Sequence, residues 1–124
     1  MYCSVEDLIK ALGEKEIIQL TDDNLTGEID EAVANDAIER ASSEIDGYLS
    51  TFTNVPLDKP PGIIKNICVT IALHNLYLRK SLEVEAIEKN YEHSLKLLEM
   101  IATGKIQLAL SVNVKQTRYK WSAV

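Results

Sequence analysis

The residues that come nearest to chemistry in this 124-residue sequence lie between Asp22 and Asp30. With Gly27 at the sixth place of an EF-hand-type calcium loop, Asp22 falls at the first place, Asn24 at the third, Thr26 at the fifth, Ile29 at the eighth and Asp30 at the ninth. The twelfth place calls for a bidentate glutamate and holds Val33, so this loop cannot complete a Ca²⁺ coordination sphere. The metal reading therefore reduces to an incomplete set of Asp22, Asn24, Thr26 and Asp30. The same residues also read as a polar turn, with Gly27 at positive φ and Asp30 or a neighbour capping the next helix.

The other reactive side chains stand apart. His74 and His93 are the two histidines, and neither belongs to an HxxxH pair or sits near a Ser or Cys nucleophile in sequence. Cys3 and Cys68 are far apart with no secretory leader before Ser4, which predicts free thiols in a reducing compartment. A bridge between them is possible in principle, but nothing in the sequence favours it. The five glycines are dispersed, so no phosphate-cradling loop appears. Tyr48 beside Asp46 reads as a buried ring with its hydroxyl on a neighbour, and Arg79 as an ion-pair or interface residue. These residues predict neither a catalytic centre nor a cofactor.

The elements that position them are helical. Residues 62–78 carry Ile63, Ile64, Ile67, Cys68, Val69, Ile71, Ala72, Leu73, Leu76, Tyr77 and Leu78 on nearly every side of a helix axis. A helix apolar all round belongs inside protein or lipid. Lys65, Asn66, His74 and the short length argue against lipid. Pro60 and Pro61 lead into this helix, where a missing N–H costs nothing.

Around it the sequence predicts a short helix capped by Ser4 and ended by Gly13, and a second piece from Glu14 to Leu20. A long helix over about 31–49 presents Val33, Ala37, Ala41, Ile45 and Tyr48 or Leu49, its two alanines allowing close approach. A last helix over about 82–103 carries Val84, Ile87, Tyr91, Leu95, Leu98 and Ile101, with Ser81 as its cap and Gly104 as its end. The few residues between the last two helices predict an antiparallel hairpin. Phe52, Val55 and Leu57 in the intervening loop either tie it down or meet a partner. The fold class is thus all-α: a small bundle over 1–104 around a central buried helix, followed by an arm over 105–124.

Charge separates the two parts. All nineteen acidic residues lie at or before Glu99, so residues 1–99 carry a net −10, whereas the remainder, with Lys105, Lys115, Arg118 and Lys120, carries +4. The acidic body argues against broad nucleic-acid binding. In the arm, Ile106, Leu108, Leu110, Val112 and Val114 alternate with polar or small residues as in an extended strand. Such a strand must pair with a partner, pair with another copy or stay flexible. The tip mixes Lys115, Arg118 and Lys120 with Tyr119 and Trp121. That mixture suits phosphates and stacked bases, suits an acidic protein surface with the aromatics as anchors, and also suits a disordered tail in the free monomer.

Several patches together carry a family resemblance: Met1-Tyr2-Cys3-Ser4-Val5-Glu6-Asp7-Leu8, Gln19-Leu20-Thr21-Asp22, Gly27-Glu28-Ile29-Asp30, Ala41-Ser42-Ser43-Glu44-Ile45-Asp46-Gly47-Tyr48-Leu49, the Pro-containing loop with Leu76-Tyr77-Leu78-Arg79, and Leu98-Glu99-Met100-Ile101-Ala102-Thr103-Gly104-Lys105. In this order and spacing, over about residues 1–110, the chain resembles the Mu-like phage neck or head-completion family, formerly a domain of unknown function. That family is itself similar to the helical head–tail connectors of long-tailed phages. The resemblance implies a structural virion protein, made in the bacterial cytoplasm, that forms a homo-oligomeric ring under the portal protein and meets tail-completion or terminator proteins. DNA would pass through without sequence-specific binding, and no membrane would be involved. The rival readings are a small nucleic-acid-binding regulator using the basic aromatic tip and a weak Ca²⁺-binding module.

Overall fold

The structure, a computed structural model, describes residues 1–110. Its helices are α1 (Val5–Leu12), α2 (Glu14–Thr21), α3 (Glu31–Leu49), α4 (Gly62–Arg79) and α5 (Glu85–Ala102), with no β-strand among the described residues. The protein is all-α, as the periodicity predicts.

Local chemistry sets where the first three helices begin and end. Ser4 and Asp7 form a reciprocal capping box at the start of α1: the Asp7 N–H donates to Ser4 Oγ at 3.3 Å and the Ser4 N–H to Asp7 Oδ2 at 2.9 Å. Gly13, at φ +101°, turns the chain from α1 directly into α2, a conformation that L side chains rarely adopt. Asp30 caps α3, accepting from the N–H groups of Ala32 and Val33 at 3.1 and 3.3 Å.

The most extensive contact in the molecule is between α3 and α4. Ala34, Ala37, Ile38, Ala41, Ser42, Ile45 and Leu49 are buried along α3, a wider stripe than the expected one because α3 also meets α1, α2 and α5. On α4, Ile64, Ile67, Cys68, Ile71, Ala72, Leu73, His74 and Leu76 are buried, and each large aliphatic side chain taken fully out of water contributes about 2 kcal/mol. The expectation of burial on all sides needs one correction. Lys65 and Asn66 are exposed near the start of α4, where Lys65 pairs with Asp7 of α1, and Leu78 is 61% exposed near its end.

The end of α4 also differs from the expectation that Ser81 caps the following helix. Ser81 has φ +57°; its N–H donates to the Leu78 carbonyl at 2.9 Å, and the Leu82 N–H reaches back to the Tyr77 carbonyl at 3.0 Å. These two bonds form a Schellman motif, in which Ser81 takes the left-handed place usually given to glycine. The chain leaves this cap extended, so α5 starts at Glu85 after Val84 rather than at Leu82, and Val84 is 40% exposed instead of joining the apolar stripe. The hairpin of α4 and α5 forms as predicted.

The 51–61 loop is tied down by Phe52, Thr53 and Leu57, all buried. Beyond Gly104, at φ +86°, residues 105–110 run without regular structure. Ile106, Leu108 and Leu110 are half-buried against the protein's own core, and Lys105, Gln107 and Ala109 face solvent. No helix of the described residues is long and apolar enough to cross a membrane.

Candidate functional site

The acidic loop between α2 and α3 closes on itself. Asp22 accepts from the Thr26 N–H and Thr26 hydroxyl through Oδ1, both at 2.9 Å, and from the Gly27 N–H through Oδ2 at 2.7 Å. These bonds, the one from the Thr26 N–H foremost, hold its carboxyl below the usual range. Gly27 has φ +83° and Asp30 is engaged as the cap of α3. The buried Thr21 hydroxyl closes the loop's base by donating to the Ile17 carbonyl at 2.9 Å and accepting from the Asp30 N–H at 3.1 Å. Of the four residues, Asp22 and Thr26 are bonded to each other and Asp30 is bonded to the start of α3. Among the described residues no group of three or more His, Cys, Asp or Glu side chains is placed to hold a metal. The loop has the geometry of the polar turn.

Asp23 fastens this loop to the end of α4. It pairs with Arg79 and, at 2.8 Å, with Lys80. Arg79 also donates to the Leu20 carbonyl at 3.1 Å. The Arg79 bond first, then that of Lys80, depresses the Asp23 carboxyl to about 2. Arg79 is the ion-pair residue its sequence context predicts.

Beside the loop a cleft of about 370 Å³ opens where α1 meets the start of α3. Its apolar lining is Val5, Ile9 and Ile29, and Glu6, Glu14, Glu28 and Glu31 surround it. All four carboxylates belong to exposed residues, and among the described residues no cation lines the cleft.

A buried polar cluster fixes the segment ahead of α1. The Tyr2 N–H donates to Ser42 Oγ at 3.0 Å, and the Tyr2 hydroxyl donates to Asp46 and accepts from the Leu57 N–H at 2.8 Å. Burial first, then the bond to Asp46, pushes the Tyr2 phenol well above its ordinary pKa. Asp46 thus pairs with Tyr2, forty-four residues away, rather than with its neighbour Tyr48. Cys3 and Cys68 lie side by side within this cluster.

The hairpin gathers a second cluster. His74 and Tyr91 stack with centroids 3.8 Å apart and planes 2° from parallel. His74 Nε2 lies 3.4 Å from Glu88 Oε1, and the Tyr91 hydroxyl donates to both Glu44 carboxylate oxygens at 3.2 Å. Burial, then the Glu44 charge, raises the Tyr91 phenol to about 12. The His74 Nδ1 is buried without a protein partner. The Tyr91 ring covers one face of the imidazole and only 8% of His74 is exposed, so the group is packed as a helix–helix contact. Sequence reasoning left His74 alone, yet a signal was present. His74 lies eight residues before Leu82 and Tyr91 eight after Glu83, the equidistant placement that an antiparallel hairpin brings together.

Of the residues assigned to partner binding, Ile106, Leu108 and Leu110 pack on the protein's own body. Val112, Val114, Lys115, Arg118, Tyr119, Lys120 and Trp121 lie outside the described residues.

Comparison with known proteins supports the Mu-like phage family and carries the match beyond residue 110, where the sequence pattern ends it. A family model described as bacteriophage Mu, Gp36 matches residues 2–122. The Mu-like prophage FluMu protein gp36 of Haemophilus influenzae is 32% identical over 111 residues, 90% of this chain and 77% of that protein. Gene product J of Escherichia phage Mu is 33% identical over 105 residues, 84% of this chain and 73% of that protein. A match spanning nearly the whole chain, with two relatives above 30% identity, leads to one conclusion: the chain belongs to the bacteriophage Mu Gp36 family of phage proteins.

Proposed function

We propose that this chain is a non-enzymatic structural subunit of a Mu-like particle, a neck or head-completion protein that assembles as a ring beneath the portal. The observation that carries this reading is a contrast of charge within one chain: a cleft with Val5, Ile9 and Ile29 in its lining surrounded by four glutamates, and a sequence after Leu110 that holds Lys115, Arg118, Lys120, Tyr119 and Trp121 and no acidic residue. A ring needs heterologous contacts, in which one surface of a subunit meets a different surface of the next until the rotation closes. Opposite charge around an apolar centre gives such a contact both attraction and register. An acidic body also suits a lumen through which DNA slides, since phosphates gain no counterion release there. Because Ile106, Leu108 and Leu110 are engaged at home, the part of the arm left for a neighbour or the portal is 111–124.

The test is co-expression of the full chain with the portal protein of the same phage, followed by purification and particle imaging. The full chain is expected to co-purify and to form a ring on the portal. A chain ending at Leu110 is expected to keep the helical circular dichroism and melting temperature of the full chain and to lose the ring. Failure of the full chain to bind the portal, or a truncated chain that assembles normally, overturns the corresponding part of the reading. Salt-sensitive DNA binding abolished by neutralising Lys115, Arg118 and Lys120 would assign the tip to nucleic acid instead.

A further inference from the structure

The buried cluster ahead of α1 holds both cysteines of the chain, sixty-five residues apart in sequence, with their sulfurs 3.0 Å from each other. Neither is bonded to another sulfur. We propose that Cys3 and Cys68 form a reversible internal disulfide that staples the segment before α1 onto the central helix when the protein meets an oxidising disulfide. The sulfurs need to close by only about 1 Å to reach a covalent S–S distance of about 2.05 Å. Side-chain bonds around the pair return the segment to this place: Tyr2 is bonded to Ser42, Asp46 and Leu57, and Ser42 Oγ sits 3.6 Å from the Cys68 sulfur.

The two thiols have different parts. Cys68 is fully buried on α4, and the hydrogen bond that Cys3 donates to it lowers its pKa, whereas the same bond and burial push Cys3 up. Cys3 is 8% exposed and belongs to a short non-helical segment, so it is the thiol an incoming oxidant reaches when that segment lifts. Cys3 then loses its proton and attacks a small-molecule disulfide such as oxidised glutathione, forming a mixed disulfide and releasing one glutathione thiolate. On return of the segment, Cys68 loses its proton and attacks the Cys3 sulfur, forming the internal bond and releasing the second thiolate. Overall two protein thiols are oxidised to one disulfide, and one glutathione disulfide is reduced to two thiols, which take up the two protons. The closed loop spans most of the body, and a loop of that size constrains the unfolded chain strongly.

The test uses the native full chain, purified reduced and incubated with oxidised glutathione before acid quenching. Expected are a mass lower by two hydrogens, no glutathione adduct, no thiol titratable after unfolding, and a Cys3–Cys68 cross-linked peptide. The melting temperature should rise by roughly 10 °C and fall back on reduction. The Cys68→Ser chain should accumulate the glutathione adduct at Cys3. The wild-type comparison stands by itself should that variant not fold. A lasting mixed adduct on the wild-type chain, a disulfide between two chains, or two thiols still titratable after unfolding overturns the proposal.

Discussion

Helices α4 and α5 are the same length, eighteen residues each, and form the two sides of one hairpin, yet they differ sharply in how much they bury. Eight residues of α4 are buried against three of α5, Ser94, Leu98 and Ile101. The difference follows from neighbours. α4 touches α1, α2, α3 and α5, while α5 touches only α3 and α4 among the described helices. Stability is therefore concentrated in α4, and α5 is held by its contacts with α3 and α4, which include the Tyr91–Glu44 hydrogen bond and the His74–Tyr91 stack.

The sharpest way to break this comparison is to truncate one side chain on each helix. Ile71→Ala on α4 should destabilise the protein by about 3 kcal/mol, since it empties a site 1% exposed. Leu97→Ala on α5, at a half-buried position, should cost less than about 1 kcal/mol. Urea denaturation of both variants checks the pair, and equal costs would refute the asymmetry.

A smaller effect should appear at high pH. The Tyr91 phenol is raised from its ordinary 10 to about 12, so the folded state holds this proton more tightly than the unfolded chain. The associated stability is complete below pH 10 and is lost as pH rises from about 10 to 12. The melting temperature should fall by roughly 5 °C more across that range in the wild type than in Tyr91→Phe. Matching alkaline melting curves for the two proteins would show that the seam does not depend on this hydroxyl.

The smallest effect lies at the far end of α4. Asp23 has its pKa lowered to about 2 by Arg79 and Lys80, so its contribution is complete above the ordinary carboxylate pKa of 3.8 and disappears as pH falls toward 2. Because this carboxylate is exposed, the consequence is local. Hydrogen exchange at Thr26 and Gly27 should accelerate in Asp23→Asn at neutral pH with the melting temperature almost unchanged. A large drop in melting temperature would mean that the clamp matters to the whole fold.

Much of the helical arrangement was legible because it rests on short-range chemistry. Ser4, Gly13 and Asp30 mark helix ends through their own bonds, and the unbroken apolar character of 62–78 identifies the helix with most neighbours. The start of α5 was not legible, since a serine in a left-handed cap carries no local signature that separates it from a serine opening a helix. The pairing of Tyr2 with Asp46 and the meeting of Cys3 with Cys68 depend on how α1 and the 51–61 loop settle against α3 and α4, which periodicity along one element does not encode. The bonding inside the acidic loop was not legible for a related reason. Counting donors by position does not show that Asp22 accepts from the backbone and hydroxyl of its own turn through both oxygens.

The helical bundle and the C-terminal sequence carry different optical reporters. Four of its five tyrosines, Tyr2, Tyr48, Tyr77 and Tyr91, lie in the helical part, and its single tryptophan, Trp121, lies beyond it with Tyr119. Near-ultraviolet dichroism of the phenols thus watches the bundle melt, while indole emission follows the surroundings of the terminal segment, so one unlabelled sample can distinguish unfolding from docking.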